Sequence, residues 1–196
     1  VSVAQASTRE RLLGAARELT EEDGYGAASV LAITSRAGLA AGTLYRHFPS
    51  KAELFVELFR SVCEHELSVG KEAAAKDAHG TVERVETVLA TFAERALRNP
   101  RLAWALIAEP VDELVDAERL AYRAHYARLL AAGLRAAIAA GELPRQDAEL
   151  TAAALVGGIG EALVGPLSPL AAGSPPAAEL VASLRVFVRR AVGAGG

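Results

Sequence analysis

The stretch Ala37-Gly38-Leu39-Ala40-Ala41-Gly42-Thr43-Leu44-Tyr45-Arg46-His47-Phe48-Pro49-Ser50-Lys51-Ala52-Glu53-Leu54 decides the fold. Gly38 ends one short helix. Phe48-Pro49 breaks another between Leu39 and His47, because a proline disfavours helix in the residue before it. Ser50-Lys51-Ala52-Glu53 is a capping box, in which serine and glutamate satisfy each other's free helix-end amides, and it opens a third helix. That helix is expected to be long, with Leu54, Phe55, Leu58 and Val62 on its inner face.

Upstream, Ser29 is placed to cap the helix that Gly38 ends, with Val30, Ile33 and Ala37 on one face. Ser7-Thr8-Arg9-Glu10 is a further capping box. Leu12, Leu13, Ala16 and Leu19 follow at helical spacing until Gly24, which predicts a helix over 8–23. Two short helices joined by a tight glycine turn form the helix-turn-helix pattern.

Downstream the pattern changes to longer helices. Residues 71–80, polar and alanine-rich, are expected to fray into a loop. Val82, Val85, Val88, Leu89 and Phe92 predict a helix ending near Asn99-Pro100, and 102–108 a short apolar one. Helices over 112–140, 150–167 and 177–192 complete the chain, and Pro166, Pro169, Gly173, Pro175 and Pro176 mark the clearest loop. The fold expected is all-α. A three-helix DNA-binding domain occupies 1–52, the linking helix starting at 50, and a helical domain occupies 53–196.

Composition agrees. Of 196 residues, 52% are hydrophobic and few are aromatic, and no β-branched run alternates with period two. The net charge of −3 excludes a uniformly basic coat but not a local basic face. One cysteine, Cys63, forbids an internal disulfide. The opening VSVAQASTRE has neither the basic nor the apolar region of a secretory signal. The apolar run 150–170 is interrupted by Glu161, glycines and prolines, against a membrane span. A cytoplasmic protein without membrane partner is expected.

From Gly24 to Ala52 there is no Asp or Glu, while Arg36, Arg46, His47 and Lys51 fall inside that window. A surface facing phosphate needs this clearance of carboxylates. Charge alone would be weak evidence, since chance can empty a short window; its coincidence with the helix-turn-helix gives it weight. Gly42 lets the second helix approach a duplex closely. Thr43 can bond phosphate or a base edge, and Tyr45 offers a hydroxyl to phosphate and a ring to a thymine methyl. Arg46 is either a bidentate reader of guanine or a solvated surface arginine. His47 and Lys51 would meet the backbone. Leu44 and Phe48 should be core.

The quoted stretch, continued back through Gly24 and Ser29, resembles the signature of the TetR family, most specifically in Gly42-Thr43-Leu44-Tyr45 followed by His47-Phe48 and Lys51. The resemblance covers the first quarter to third of the chain; beyond it only the helical layout is similar. It implies a repressor that binds a palindromic double-stranded operator as a homodimer and is released by a small-molecule effector. It adds Ser29, Thr34 and Arg36 beside the groove. Two departures stand out. Ala40 replaces a serine common before the recognition helix, which removes a cap worth about 1 kcal/mol. Ala41, often a base contact, offers only a methyl group.

The resemblance also implies an effector site among the middle helices and a four-helix dimer bundle from the last two. Phe92, Trp104, Ile107, Tyr122, Tyr126 and Leu129 are candidates for its apolar wall, and Glu109, His125 and Glu161 for its polar groups. Each could equally be core or surface. Ala153, Gly157, Leu180, Leu184, Phe187 and Val188 either pair with a second copy or close the monomer core.

Other chemistries find little support. Cys63 and His65 are two apart on a helix and face different ways. His65-Glu66 lacks the second histidine of a zinc protease helix, since residue 69 is Val69. Gly157-Gly158-Ile159-Gly160 follows no strand. No cofactor, metal site or catalytic set is expected. A helical interaction module without DNA binding would leave the acid-free window unexplained.

Overall fold

The structure is a computed structural model that describes residues 6–77, 80–170 and 175–194. All regular structure among them is helical: α1 Thr8–Asp23, α2 Val30–Arg36, a 3-10 turn Ala41–Thr43, α3 Leu44–His47, α4 Lys51–Asp77, α5 Thr81–Arg98, α6 Pro100–Ile107, α7 Glu113–Ala139, α8 Ala148–Leu167 and α9 Ala177–Ala191.

The caps are those read in the sequence. Ser7 Oγ accepts from Glu10 N at 3.2 Å while Ser7 N donates to Glu10 Oε2 at 2.7 Å. Ser29 Oγ accepts from Ala32 N at 3.1 Å, and Ser50 Oγ from Glu53 N at 3.1 Å. Gly38 takes φ +65°, a conformation costly for a residue with a Cβ. Ala40 provides no side-chain cap, and the segment after it starts as a 3-10 turn before one turn of α-helix.

Two expectations are corrected. Residues Lys71–Asp77 do not fray but continue α4, because Ala73, Ala74 and Ala75 are strong helix formers and Ala74 is buried. Pro166 belongs to the expected helix 150–167 and not to the loop after it: it lies one residue before the end of α8, where it forgoes the bond to the carbonyl four residues back but leaves no further turn to break. Gly173 lies outside the described residues.

Two cores hold the helices. The first joins Leu12, Ala16, Ile33, Leu44 and Phe48 to Leu54, Phe55, Leu58 and Val62 of α4, and takes in Leu102 and Ala105 of α6 and Val115 of α7. The N-terminal helices α1 to α3 are therefore seated on α6 and α7 as well as on α4. The second core lies among α5 to α9, around Leu89, Leu134, Leu155, Ile159, Leu163 and Val188. Glu86 of α5, 3% exposed, is neutralised there by Arg185 and Arg189 of α9.

Candidate nucleic-acid interface and effector cavity

Leu44 is fully buried and Phe48 is 2% exposed, and these two anchors turn the intervening side chains outward. Tyr45, Arg46 and His47 are exposed and, among the described residues, have no side-chain partner. Ala41 and Gly42 precede them on the surface, and a Cβ built on Gly42 meets nothing within 4 Å. Thr43 is half-buried beside them. The arrangement presents a hydroxyl, a guanidinium and an imidazole from one short turn, with open space before it.

The flanking residues divide. Ser29 is exposed and caps α2. Thr34 does not reach the surface: it is 1% exposed and its hydroxyl donates to Val30 O and Leu31 O of its own helix. Leu31, which sequence reasoning passed over, is 70% exposed on the same helix. Arg36 is exposed but donates to Glu22 at 2.8 and 2.7 Å, and this pairing raises its already high pKa. A phosphate would have to take it from those carboxylates. The Lys51 ammonium lies over the Tyr25 ring at 4.2 Å and the Phe55 ring at 5.4 Å, a cation–π seat at the start of α4.

Tyr25 belongs to the turn that joins α1 to α2, and this turn is fastened to the α6–α7 connection. Glu109 accepts from Tyr25 N at 2.9 Å and Gly26 N at 3.2 Å, and the Tyr25 hydroxyl bonds Asp112. Burial and Asp112 push the Tyr25 phenol well above its ordinary pKa, so it stays a donor. A Cβ on Gly24 would sit 3.1 Å from Glu109 Oε1, so glycine makes room for the carboxylate.

Beyond that connection lies a cavity of about 650 Å3 bounded by α4, α5, α6, α7 and α8. Phe92, Ile107, Tyr122, Tyr126 and Leu129, five of the candidate wall residues, line it. Tyr126 donates to Cys63 O at 3.1 Å, and burial holds the Cys63 thiol up to about 12. Four expected wall residues are elsewhere. Trp104 packs half-buried against the second core, and Glu109 holds the α1–α2 turn. His125 is exposed with its ring beside Tyr122 and Tyr126. Glu161 is exposed because it follows Ala153 and Gly157 at four-residue steps, on the outward face of α8.

Sequence reasoning missed Arg119. It is 7% exposed and lies on the cavity wall. Its spacing to Tyr122 and Tyr126, three and seven residues on, is the signal that places all three on one face.

Of the residues expected at a subunit interface, Leu184 and Val188 are 6% and 1% exposed and belong to the chain's own core. Ala153 and Gly157 are exposed, Leu180 is half-buried, and Phe187 is 43% exposed with its ring 3.4 Å from where a Gly158 Cβ would stand. Among the described helices, α8 alone is long and apolar enough to cross a membrane; its mean hydropathy is 1.5 and 28% of that window is buried.

An all-helical chain with an outward-facing helix-turn-helix and a largely apolar cavity has the build of a regulatory protein. Residues 12–58 match the family described as bacterial regulatory proteins, tetR family. The chain is 33% identical over 147 residues to the HTH-type transcriptional repressor KstR of Mycolicibacterium smegmatis, covering 74% of this chain and 70% of that one. It is 35% identical over 105 residues to KstR of Rhodococcus jostii, where the match spans 54% of this chain but only 48% of the relative. The structure of the transcriptional regulator FadR from Bacillus subtilis in complex with stearoyl-CoA has the same fold, with TM-score 0.74, 21% identity, and coverage of 95% and 98%. This chain belongs to the tetR family of bacterial regulatory proteins.

Proposed function

We propose that the chain is a cytoplasmic, ligand-responsive repressor that binds a palindromic operator as a homodimer and releases it when a small hydrophobic or amphipathic effector enters the cavity. The observation that carries this reading is the outward presentation of Tyr45, Arg46 and His47 between the buried anchors Leu44 and Phe48. Gly42, Thr43 and Lys51 would add a close approach and phosphate contacts. The KstR relatives, transcriptional repressors by name, support repression as the sign.

One helix-turn-helix covers too little DNA for tight specific binding, and a dimer reads two half-sites a helical turn or a multiple apart. The exposed apolar face of α8 with Phe187 of α9 is the surface we assign to the second copy. The assigned site has no catalytic part.

Fluorescence anisotropy on the DNA upstream of the chain's own gene tests the reading. Saturable binding with a steep negative salt slope and clear preference over scrambled DNA is expected. Tyr45→Ala and Lys51→Ala should each weaken binding by about 1–3 kcal/mol, and Lys51→Ala should reduce the salt slope by about one. Unchanged affinity in both variants would remove the assigned DNA site.

A further inference from the structure

Arg119 is the one buried side chain, among the described residues, with a polar atom left without a partner. Its Nε is shielded from solvent and has no acceptor. Its Nη2 donates to Ala105 O and, at 2.8 Å, to Glu109 O, the carbonyls that flank the end of α6. Its Nη1 meets Asp116 at 3.6 Å, a carboxylate 62% exposed and therefore well solvated. Burial pulls the Arg119 pKa down, although guanidinium remains charged. A buried charge this poorly compensated is costly unless another acceptor completes it.

The surroundings name the acceptor. Arg119 is on the wall of the 650 Å3 cavity, where basic residues outnumber the single acidic one among the described residues, Glu66, itself paired with Arg95. Apart from Thr81, Asn99 and Cys63, the remaining wall is apolar and aromatic. Such a lining suits an apolar molecule with an anionic head.

We propose that Arg119 is the polar anchor for the carboxylate of an apolar effector, and that it exchanges its grip on Ala105 O and Glu109 O for that carboxylate. The inference rests on the regulator reading and specifies how its cavity works. Loosening the carbonyls at the end of α6 loosens Glu109, whose side chain holds Tyr25 N and Gly26 N of the DNA-binding domain. The two states differ in Arg119's acceptor, which gives the ligand the differential affinity that any shift requires.

Trp104, the sole tryptophan, sits one turn before Glu109 and accepts from Glu109 N at 2.9 Å, so its fluorescence reports the hinge. Dodecanoate and 1-dodecanol, equal in chain length, are titrated into the wild-type chain, Arg119→Gln and Arg119→Lys. The wild type should bind dodecanoate at least tenfold more tightly than the alcohol. The preference should fall below threefold in Arg119→Gln and should at least halve in Arg119→Lys, which keeps charge but lacks Nε. Saturating dodecanoate should also speed hydrogen exchange at the Tyr25 and Gly26 amides of the wild type and not of Arg119→Gln. Equal binding of both probes, binding of neither, or an undiminished preference in the variants would overturn the proposal. If Arg119→Gln loses helicity, the wild-type comparison and Arg119→Lys decide. Because these readouts need no DNA, an intact dodecanoate response with no operator binding would count against the regulator reading and leave the Arg119 site standing.

Discussion

Burial sets the chemistry of Cys63. Its thiol, held up to about 12 against an ordinary 9.0, carries on the order of a thousandfold less reactive thiolate than a free cysteine. Alkylation by iodoacetamide at pH 8 should therefore be at least a hundredfold slower than that of a small free thiol; a comparable rate would contradict the packing around α4 and α7. Thr34 and Glu109 show why single residues are the hardest things to read from a sequence. Each has the right chemistry for a site. Thr34 faces inward because it is adjacent to Ile33 on a helix of only seven residues, whose core-facing arc spans both. Glu109 finds its partners 84 and 83 residues away, at backbone amides that no side-chain motif advertises. Arg119 was legible in principle from its helical register with two tyrosines, but an arginine in a mixed helix is more often solvated.

Helix ends are where local sequence was most informative. Serines 7, 29 and 50 each cap the helix that their spacing to the third following amide announces. The exception, Ala40, has the extended backbone of an N-cap, φ −68° and ψ 146°, without an acceptor side chain. Ala40→Ser should therefore stabilise the fold by about 0.5–1 kcal/mol in urea denaturation. No gain would mean that the 3-10 geometry of 41–43 puts the amides out of reach. Ser29→Ala should cost about 1 kcal/mol by the same measurement. The largest boundary error is at Lys71–Asp77, where α4 runs longer than its pattern because favourable propensity extends a helix that packing has already nucleated.

At the scale of the molecule, α8 is the informative element. Its inner side fills the core with Ala152, Leu155, Ile159 and Leu163, while Ala153, Gly157 and Glu161 face outward. Phe187→Glu places a charge on the adjoining apolar surface without touching the core. By sedimentation it should convert a dimer to a monomer, with helicity retained and operator affinity lost. A dimer that persists would move the interface elsewhere. The sequence could not separate the two sides of α8 because it is apolar almost all round, and periodicity carries no direction when every position is apolar. Hence Glu161 of α8 looked inward but is exposed; Leu184 and Val188 of α9 looked available to a partner but serve the monomer core, because an apolar stripe marks a buried face without saying which chain buries it.

Local sequence was sufficient for the all-helical class, the helix-turn-helix and the outward turn Tyr45-Arg46-His47, because capping, glycine stops and a break at proline act over three or four residues. Folding alone decided which aromatic residues enclose the cavity, which face of α8 stays bare, and that Arg119, Glu109 and Tyr25 come together. The Glu109–Tyr25 contact joins residues 84 positions apart in the chain, and such pairing depends on how helices cross rather than on any spacing within one.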